Sequence, residues 1–393
     1  MAGTISRGIK APIIREGDDI VKIVVDSVLA AAEQDGYKVQ EKDVIAVTEA
    51  VVARAAGNYA STDDIAEDVK AKLGGGTVGV LFPILSRNRF AICLRGIARG
   101  SKKVVLMLSY PSDEVGNHLF DEDVLDASGV NPYTDVLSVE EYRKAFGYAK
   151  HPFTGVDYVD YYKGLIEEEG AEAEIIFANH ADAIVDYTKN VICCDIHTRE
   201  RSKRRILAKG GEKVLTLADI LNAPVNGSGC NEAYGLLGSN KATENIVKLF
   251  PNNAQEVAEN IQKEVYDRIG VKVEAMVYGD GAFKDPIGKI WELADPVVGA
   301  GYTDGLVGLP NELKLKFLAD NDFANLSGEA LADAIKERIK EKEGNLKGQM
   351  VSEGTTPRRL TDLLGSLSDL TSGSGDKGTP IVLVQNYFNN YAD

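Results

Sequence analysis

The feature that most constrains this chain is a series of short apolar runs, each the length of one strand, set between helix-length stretches. They are Asp43–Thr48, Val78–Phe82, Val104–Leu108, Glu174–Ala178, Val191–Asp195, Val271–Val277 and Pro380–Gln385. A run that is apolar on consecutive residues has no wet face, so it belongs to a strand covered on both sides. The intervening stretches carry apolar residues at threes and fours. Ile20, Ile23, Val24, Val28 and Ala31 do so over about 20–33, and Val257, Ala258, Ile261 and Val265 over about 254–269. That spacing predicts helices with one buried face. Asp18 or Asp19 can cap the first, and Gly57 suits a helix stop. The fold class is therefore α/β, with a mixed α+β character.

The chain has 393 residues, 44% hydrophobic and 26% charged, enough for two or three domains of ordinary size. Its formal net charge of −16 argues against nonspecific nucleic-acid binding, which relies on Lys and Arg neutralising phosphates. No run approaches the 18 or so apolar residues of a membrane helix, and the first twenty residues lack a leader pattern. Cys93, Cys193, Cys194 and Cys230 form neither a disulfide framework nor a zinc motif. The expectation is a cytoplasmic protein with no membrane and no nucleic-acid partner.

Two segments stand out for chemistry. In Val277–Asp285 a buried strand delivers Asp280 into a loop flanked by Gly279 and Gly281. Ligands of open α/β sheets bind beyond the carboxyl ends of strands, and a carboxylate there is a hard-metal ligand or the side chain of an Asx-turn. In Gly235–Lys241, small residues and Asn240 leave open backbone that suits either phosphate or an ordinary loop. The basic run Arg199–Arg205 is either a solvated helix face or a phosphate contact, and His197 just before it is the histidine best placed for a cleft. The tyrosines around Tyr158–Tyr162 pack a local core or form a partner surface. No P-loop, nucleophile elbow or G-x-G-x-x-G turn is present.

Several segments taken in order resemble the γ-glutamyl ligases of the deazaflavin coenzyme F-420. Arg7–Ile20 is similar to that family's G-I-P-x-I-x-x-G-D-D-L, and Asp43–Gly57 to its D-x-L-V-V-T-x-K-V-V-S-K-A-E-G. Ser239–Asn240 falls on its I-D-x-S-N, ahead of Leu249–Phe250–Pro251 and a helix from Ala254. Asp280 falls on its T-D-T-F-G-R-P, and Pro380–Val384 on its closing strand. The likeness covers roughly 1–100 and 235–390. It suggests a ligase-like two-domain fold built from 1–104 and 233–393, with 105–232 inserted or remodelled.

The resemblance implies attachment of an amino acid, expected to be L-glutamate, to a small-molecule carboxylate acceptor through an acyl phosphate. GTP or ATP would be the co-substrate, Mg²⁺ or Mn²⁺ the cofactor, and a homodimer the assembly. It implies Arg54 and Asp280 as catalytic residues, Thr48, Ser239 and Asn240 as phosphate-binding residues, and Asp280, Asp285 and Glu292 as metal ligands. The motif also departs from the family: its lysine is Ala50, its glutamate Ala56, and the aspartate of I-D-x-S-N is Gly238 or is displaced along the chain. Either other residues replace these charges, with Glu49, Asp285, Glu292 and Arg205 as candidates, or the chain is a ligand-binding or regulatory protein that kept the fold.

Overall fold

In a computed structural model, which describes residues 3–151, 154–281, 294–355, 358–373 and 375–393, the apolar runs gather into two large sheets. The first has five strands: β1 (Ile5–Ile9), β14 (Ile381–Gln385), β2 (Val44–Thr48), β12 (Glu274–Tyr278) and β13 (Gly299–Tyr302), in that spatial order. β2 and β12 lie side by side and parallel, with Thr48 opposite Tyr278. The other pairs are antiparallel. β12 and β14 are buried along their whole length, because both sheet faces are covered. On one face, α1 (Ile20–Asp35) and α9 (Ala254–Ile269) press Val24, Val28, Val257, Ile261 and Val265 against Ile45, Val47 and Val277. On the other, α12 (Leu360–Thr371) sets Leu364 against Met276 and Val382. Asp19 caps α1, accepting a 3.0 Å hydrogen bond from the Lys22 N–H. Gly57, at φ 65°, follows α2 (Glu49–Ala55).

The second sheet has the order β6 (Leu137–Ser138), β7 (Glu172–Phe177), β5 (Lys103–Leu108), β4 (Thr77–Leu81), β8 (Asn190–Cys193), β9 (Lys213–Thr216). All of its strands are parallel except β6. One face carries α4 (Phe90–Arg99) and α7 (Tyr158–Glu168), with α3 (Thr62–Leu73) packed on α4. The other face carries α8 (Arg199–Ala208), whose Ile206 meets Val191, Cys193 and Val214. A small third sheet joins β10 (Asn240–Lys241), β11 (Ile246–Lys248) and β3 (Tyr59–Ser61). Short helices α5 (Glu122–Ser128) and α6 (Val139–Phe146) sit between β5 and β7, and α10 (Leu315–Phe317) and α11 (Gly328–Lys340) precede α12.

The stretch from 111 to 170 is partly helical. Its helices are short and their buried faces rest on aromatic contacts, such as Tyr142 stacked on Phe177 at 3.9 Å and Tyr162 edge-on to Phe90 at 5.7 Å. Tyr158 and Tyr162 are buried, so the tyrosine cluster packs the core of its own sheet. Ala181–Asp186, between β7 and β8, is a short 3₁₀ turn. The basic run becomes α8. Residues on both sides of position 104/105 share one sheet, since β5 spans that point. Among the described residues, no helix is long and apolar enough to cross a membrane.

Asn58 joins distant parts of the chain. Its amide N–H groups donate to the Cys230 and Phe250 carbonyls at 3.0 and 2.8 Å, and its Oδ1 accepts from the Cys230 N–H at 3.1 Å. Asn58→Ala removes these three hydrogen bonds and leaves the Cys230 N–H without its acceptor, while the Phe250 and Cys230 carbonyls keep Asn231 and Asn252; it is expected to lower the unfolding free energy by about 1–3 kcal/mol, measured by urea denaturation.

Candidate active site

The parallel pair β2–β12 points the carboxyl ends of both strands to the same edge of the five-stranded sheet. Thr48 ends β2 and precedes Glu49, the first residue of α2; Tyr278 ends β12 and leads through Gly279 to Asp280. Two strands ending together leave a crevice where side chains from different loops can meet. Here the crevice holds five charged groups. The buried Arg89 guanidinium forks between two carboxylates, donating to Asp280 Oδ2 at 2.5 Å and Asp295 Oδ1 at 2.8 Å. The buried Lys248 ammonium donates to both oxygens of Glu49, at 2.8 and 2.7 Å. Arg89, Lys248, Glu49 and Asp295 are each under a tenth exposed, and the Asp280 side chain, at 19%, is the most open of the five.

Burial raises the Glu49 carboxyl well above the usual carboxylate range. The Lys248 charge opposes the shift, Asp295 adds to it and Arg89 reduces it. Asp295 and Arg89 are thus close enough to Glu49 for the two ion pairs to act as one cluster. Such a cluster is costly to desolvate, and breaking one pair leaves an uncompensated charge inside.

Glycine is required here for space. The Asp280 N–H donates to Asp295 Oδ2 at 2.8 Å, and a methyl added to Gly279 would fall 2.6 Å from that same oxygen. Gly238, at φ 70°, is held against Phe250; a methyl there would lie 2.7 Å from the Phe250 ring and 3.4 Å from Asp295 Oδ1. Gly238 and Ser239 line a small cavity of about 20 Å³ with Arg89, Phe90, Cys93 and Ile196. Ser239 is buried, with its hydroxyl 3.4 Å from the Cys93 sulfur. Burial pushes the Cys93 thiol up to about 11.

Of the residues singled out from sequence, Asp280, Ser239, Asn240 and Thr48 come to this edge. Asn240 is paired in register with Lys248, and Thr48 lies beside Tyr278. Arg54 is on the exposed side of α2, with no hydrogen bond or ion pair to Asp280, Ser239 or Asn240 among the described residues. Arg205 lies on α8, paired with Asp182 at 2.7 Å, away from the cluster. Asp285 and Glu292 lie outside the described residues. Arg89, Lys248 and Asp295 escaped the sequence reading. Lys248 left a signal: a lone cation in the apolar run Ile246–Phe250 needs a buried partner. Arg89 and Asp295 left none, because nothing local distinguishes them from surface charges.

Among the described residues, no group of three or more His, Cys, Asp or Glu side chains is arranged as a metal cage. The donors present are carboxylate oxygens, which suit Mg²⁺ or Mn²⁺, and Mg²⁺ is commonly held by one or two carboxylates together with substrate phosphates. Asp280 is the described carboxylate with the exposure to serve in that way.

A family model described as F420-0:gamma-glutamyl ligase matches residues 8–386. A search of curated proteins found no match to the chain.

Arg89→Ala should cost about 3–5 kcal/mol of stability by stranding Asp280 and Asp295, read as a lower urea midpoint. Cys93, Cys193 and Cys194 are buried and Cys230 half-buried. Iodoacetamide at neutral pH should therefore label Cys230 first, and the other three only on unfolding, as peptide mass spectrometry would show.

Proposed function

Because the chain belongs to the F420-0:gamma-glutamyl ligase family, we propose that it is a nucleotide-dependent ligase joining L-glutamate to a small carboxylate acceptor. The observation that carries this reading is spatial replacement of two charges absent from the motifs. Ala50 stands where the family has its lysine, and Lys248 brings an ammonium to the adjacent Glu49. With Ser239–Asn240 on the family's I-D-x-S-N, its aspartate falls on Leu237, and Asp295 brings a carboxylate to 3.4 Å from where a Cβ on the neighbouring Gly238 would be. Charge of the required sign is therefore supplied from other parts of the chain.

In the proposed reaction an oxygen of the acceptor carboxylate attacks the terminal phosphorus of GTP or ATP. The bridging P–O bond breaks, nucleoside diphosphate leaves, and an acyl phosphate forms. The glutamate amine then attacks the acyl carbon, the C–O bond to phosphate breaks, and phosphate leaves as the nitrogen loses a proton. Arg89 and Lys248 supply positive donors for the transferring group, which in a desolvated site are worth far more than in water. Asp280 would hold Mg²⁺ or Mn²⁺, whose chemistry when bound is neutralisation of phosphate charge. Thr48, Ser239 and Asn240 line the approach from the strand ends. Arg54 would meet the substrate from the outer side of α2. The pairing of all three described carboxylates with cations favours a second reading, a binding protein that kept the fold without turnover.

Purified protein incubated with nucleotide, Mg²⁺, glutamate and a carboxylate should release phosphate only when both organic substrates are present. Asp280→Asn should lower kcat by roughly 10²–10³-fold while the protein stays folded. The absence of any metal-dependent nucleotide binding by calorimetry would sink the ligase reading. Unchanged ligand binding by Asp280→Ala, with no turnover in the parent, would favour the binding protein.

A further inference from the structure

The six-stranded sheet carries a second feature that the ligase cluster does not use. Taken in chain order, its parallel strands β4, β5, β7, β8 and β9 stand as third, second, first, fourth, fifth across the sheet. The order therefore reverses between β4 and β8. The helices follow the reversal: α4, after β4, covers one face, and α8, after β8, covers the other. The last hydrogen bond between the two strands runs from the Cys194 N–H to the Leu81 carbonyl at 2.8 Å. Beyond it the chains part to opposite faces and leave a crevice, the general ligand position of doubly wound sheets.

The two sides of the crevice differ. The β4 side, Phe82–Arg89, contains no glycine, and Ser86 takes up donors there, its carbonyl accepting from the Ala91 N–H and its hydroxyl from the Arg89 N–H. The β8 side is a receptor for an anion. The N–H groups of Ile196 and His197, just ahead of α8, donate to the single carboxylate of Glu114, and the Thr198 hydroxyl, whose proton goes to Asp195, lies beside it. The His197 contacts are 3.3 and 3.2 Å and the Thr198 contact 3.3 Å. Glu114 comes from the loop after β5, so it is an internal anion on donors of the switch point. Beside it Asp195 is 1% exposed. Its Oδ2 accepts from Thr198 and Ser202 at 2.6 and 2.8 Å, while its buried Oδ1 accepts no hydrogen bond. A buried carboxylate oxygen with no donor is costly unless a ligand supplies one. Ile196, at this anion position, and Arg89, of the charge cluster, line the same small cavity.

We propose that the crevice between β4 and β8 is the nucleoside triphosphate subsite of this chain. A phosphate takes the place of the Glu114 carboxylate on Ile196 and His197, beside Thr198, and Asp195 Oδ1 accepts a hydroxyl from the ligand. This rests on the ligase reading for the identity of the nucleotide. Glu114 then acts as a built-in competitor that the nucleotide must displace. A ligand that binds only the displaced form loses affinity in proportion to that form's population.

The test is calorimetric titration of the full chain with ATP, GTP and, separately, inorganic phosphate. Glu114→Gln should tighten nucleotide binding roughly tenfold by weakening the internal competitor. Asp195→Asn, which keeps an acceptor for Ser202, should weaken it by about tenfold. Circular dichroism checks that both variants are folded, and Glu114→Gln decides alone if Asp195→Asn unfolds. Nucleotide binding with the same Kd in parent and Glu114→Gln overturns the subsite and leaves the ligase reading intact. A Glu114→Gln effect on inorganic phosphate but not on nucleotides also overturns it, as a plain phosphate site. No nucleotide binding by the parent chain overturns the ligase reading and the subsite together.

Discussion

The rest of the structure depends on one buried cation. Arg89 enters from the turn between β4 and α4, in the six-stranded sheet, and its guanidinium forks onto Asp280 and Asp295 beside the five-stranded sheet. Three carboxylates and two cations share the crevice, so the cluster carries one formal negative charge when all are ionised. Removing carboxylates from water costs several kcal/mol each unless cations and hydrogen bonds replace the lost solvation. A planar fork suits the task, because guanidinium can serve two carboxylates at once in fixed geometry; an ammonium has no such fork. The same contact ties one sheet to the other.

That tie depends on two backbone facts. β2 and β12 are parallel, so Glu49 and Asp280 emerge at one edge and not at opposite ends. The register between β12 and β13 shifts at Val277/Tyr278, just before the chain turns through Gly279. With no side chain at Gly279, the Asp295 carboxylate can approach the backbone and accept the Asp280 N–H. The cluster is therefore held by backbone as well as by charge. Side chains held in this way are fixed in their mutual geometry.

The six-stranded sheet adds a layer that the ligase-like motifs do not describe. Its strands are apolar on both faces because helices cover both, and its order reverses between β4 and β8. The carboxyl ends of these strands meet the segment Leu236–Ser239 around the cavity that Arg89 lines. The two sheets thus bring strand ends to one small cavity.

The sequence by itself determined the α/β class and the family. Continuous apolar runs can be satisfied only by strands covered on both faces. The threes-and-fours pattern of Ala254–Ile269 can be buried only as a helix, and that helix spans those residues. Asp280 was legible because a glycine-flanked carboxylate after a buried strand is a local pattern. The 3₁₀ turn at Ala181–Asp186 and the short helices between 111 and 170 were not, because they are set by tertiary packing and not by their own periodicity. The charge cluster belongs wholly to the tertiary structure. Arg89 lies 191 residues from Asp280 and 206 from Asp295, and Lys248 lies 199 from Glu49. No local pattern can report partners at that separation, since the energy of a buried charge is decided by what the fold places beside it. The chain carried the charges; the parallel pairing of β2 with β12 and the approach of the second sheet decided which of them meet.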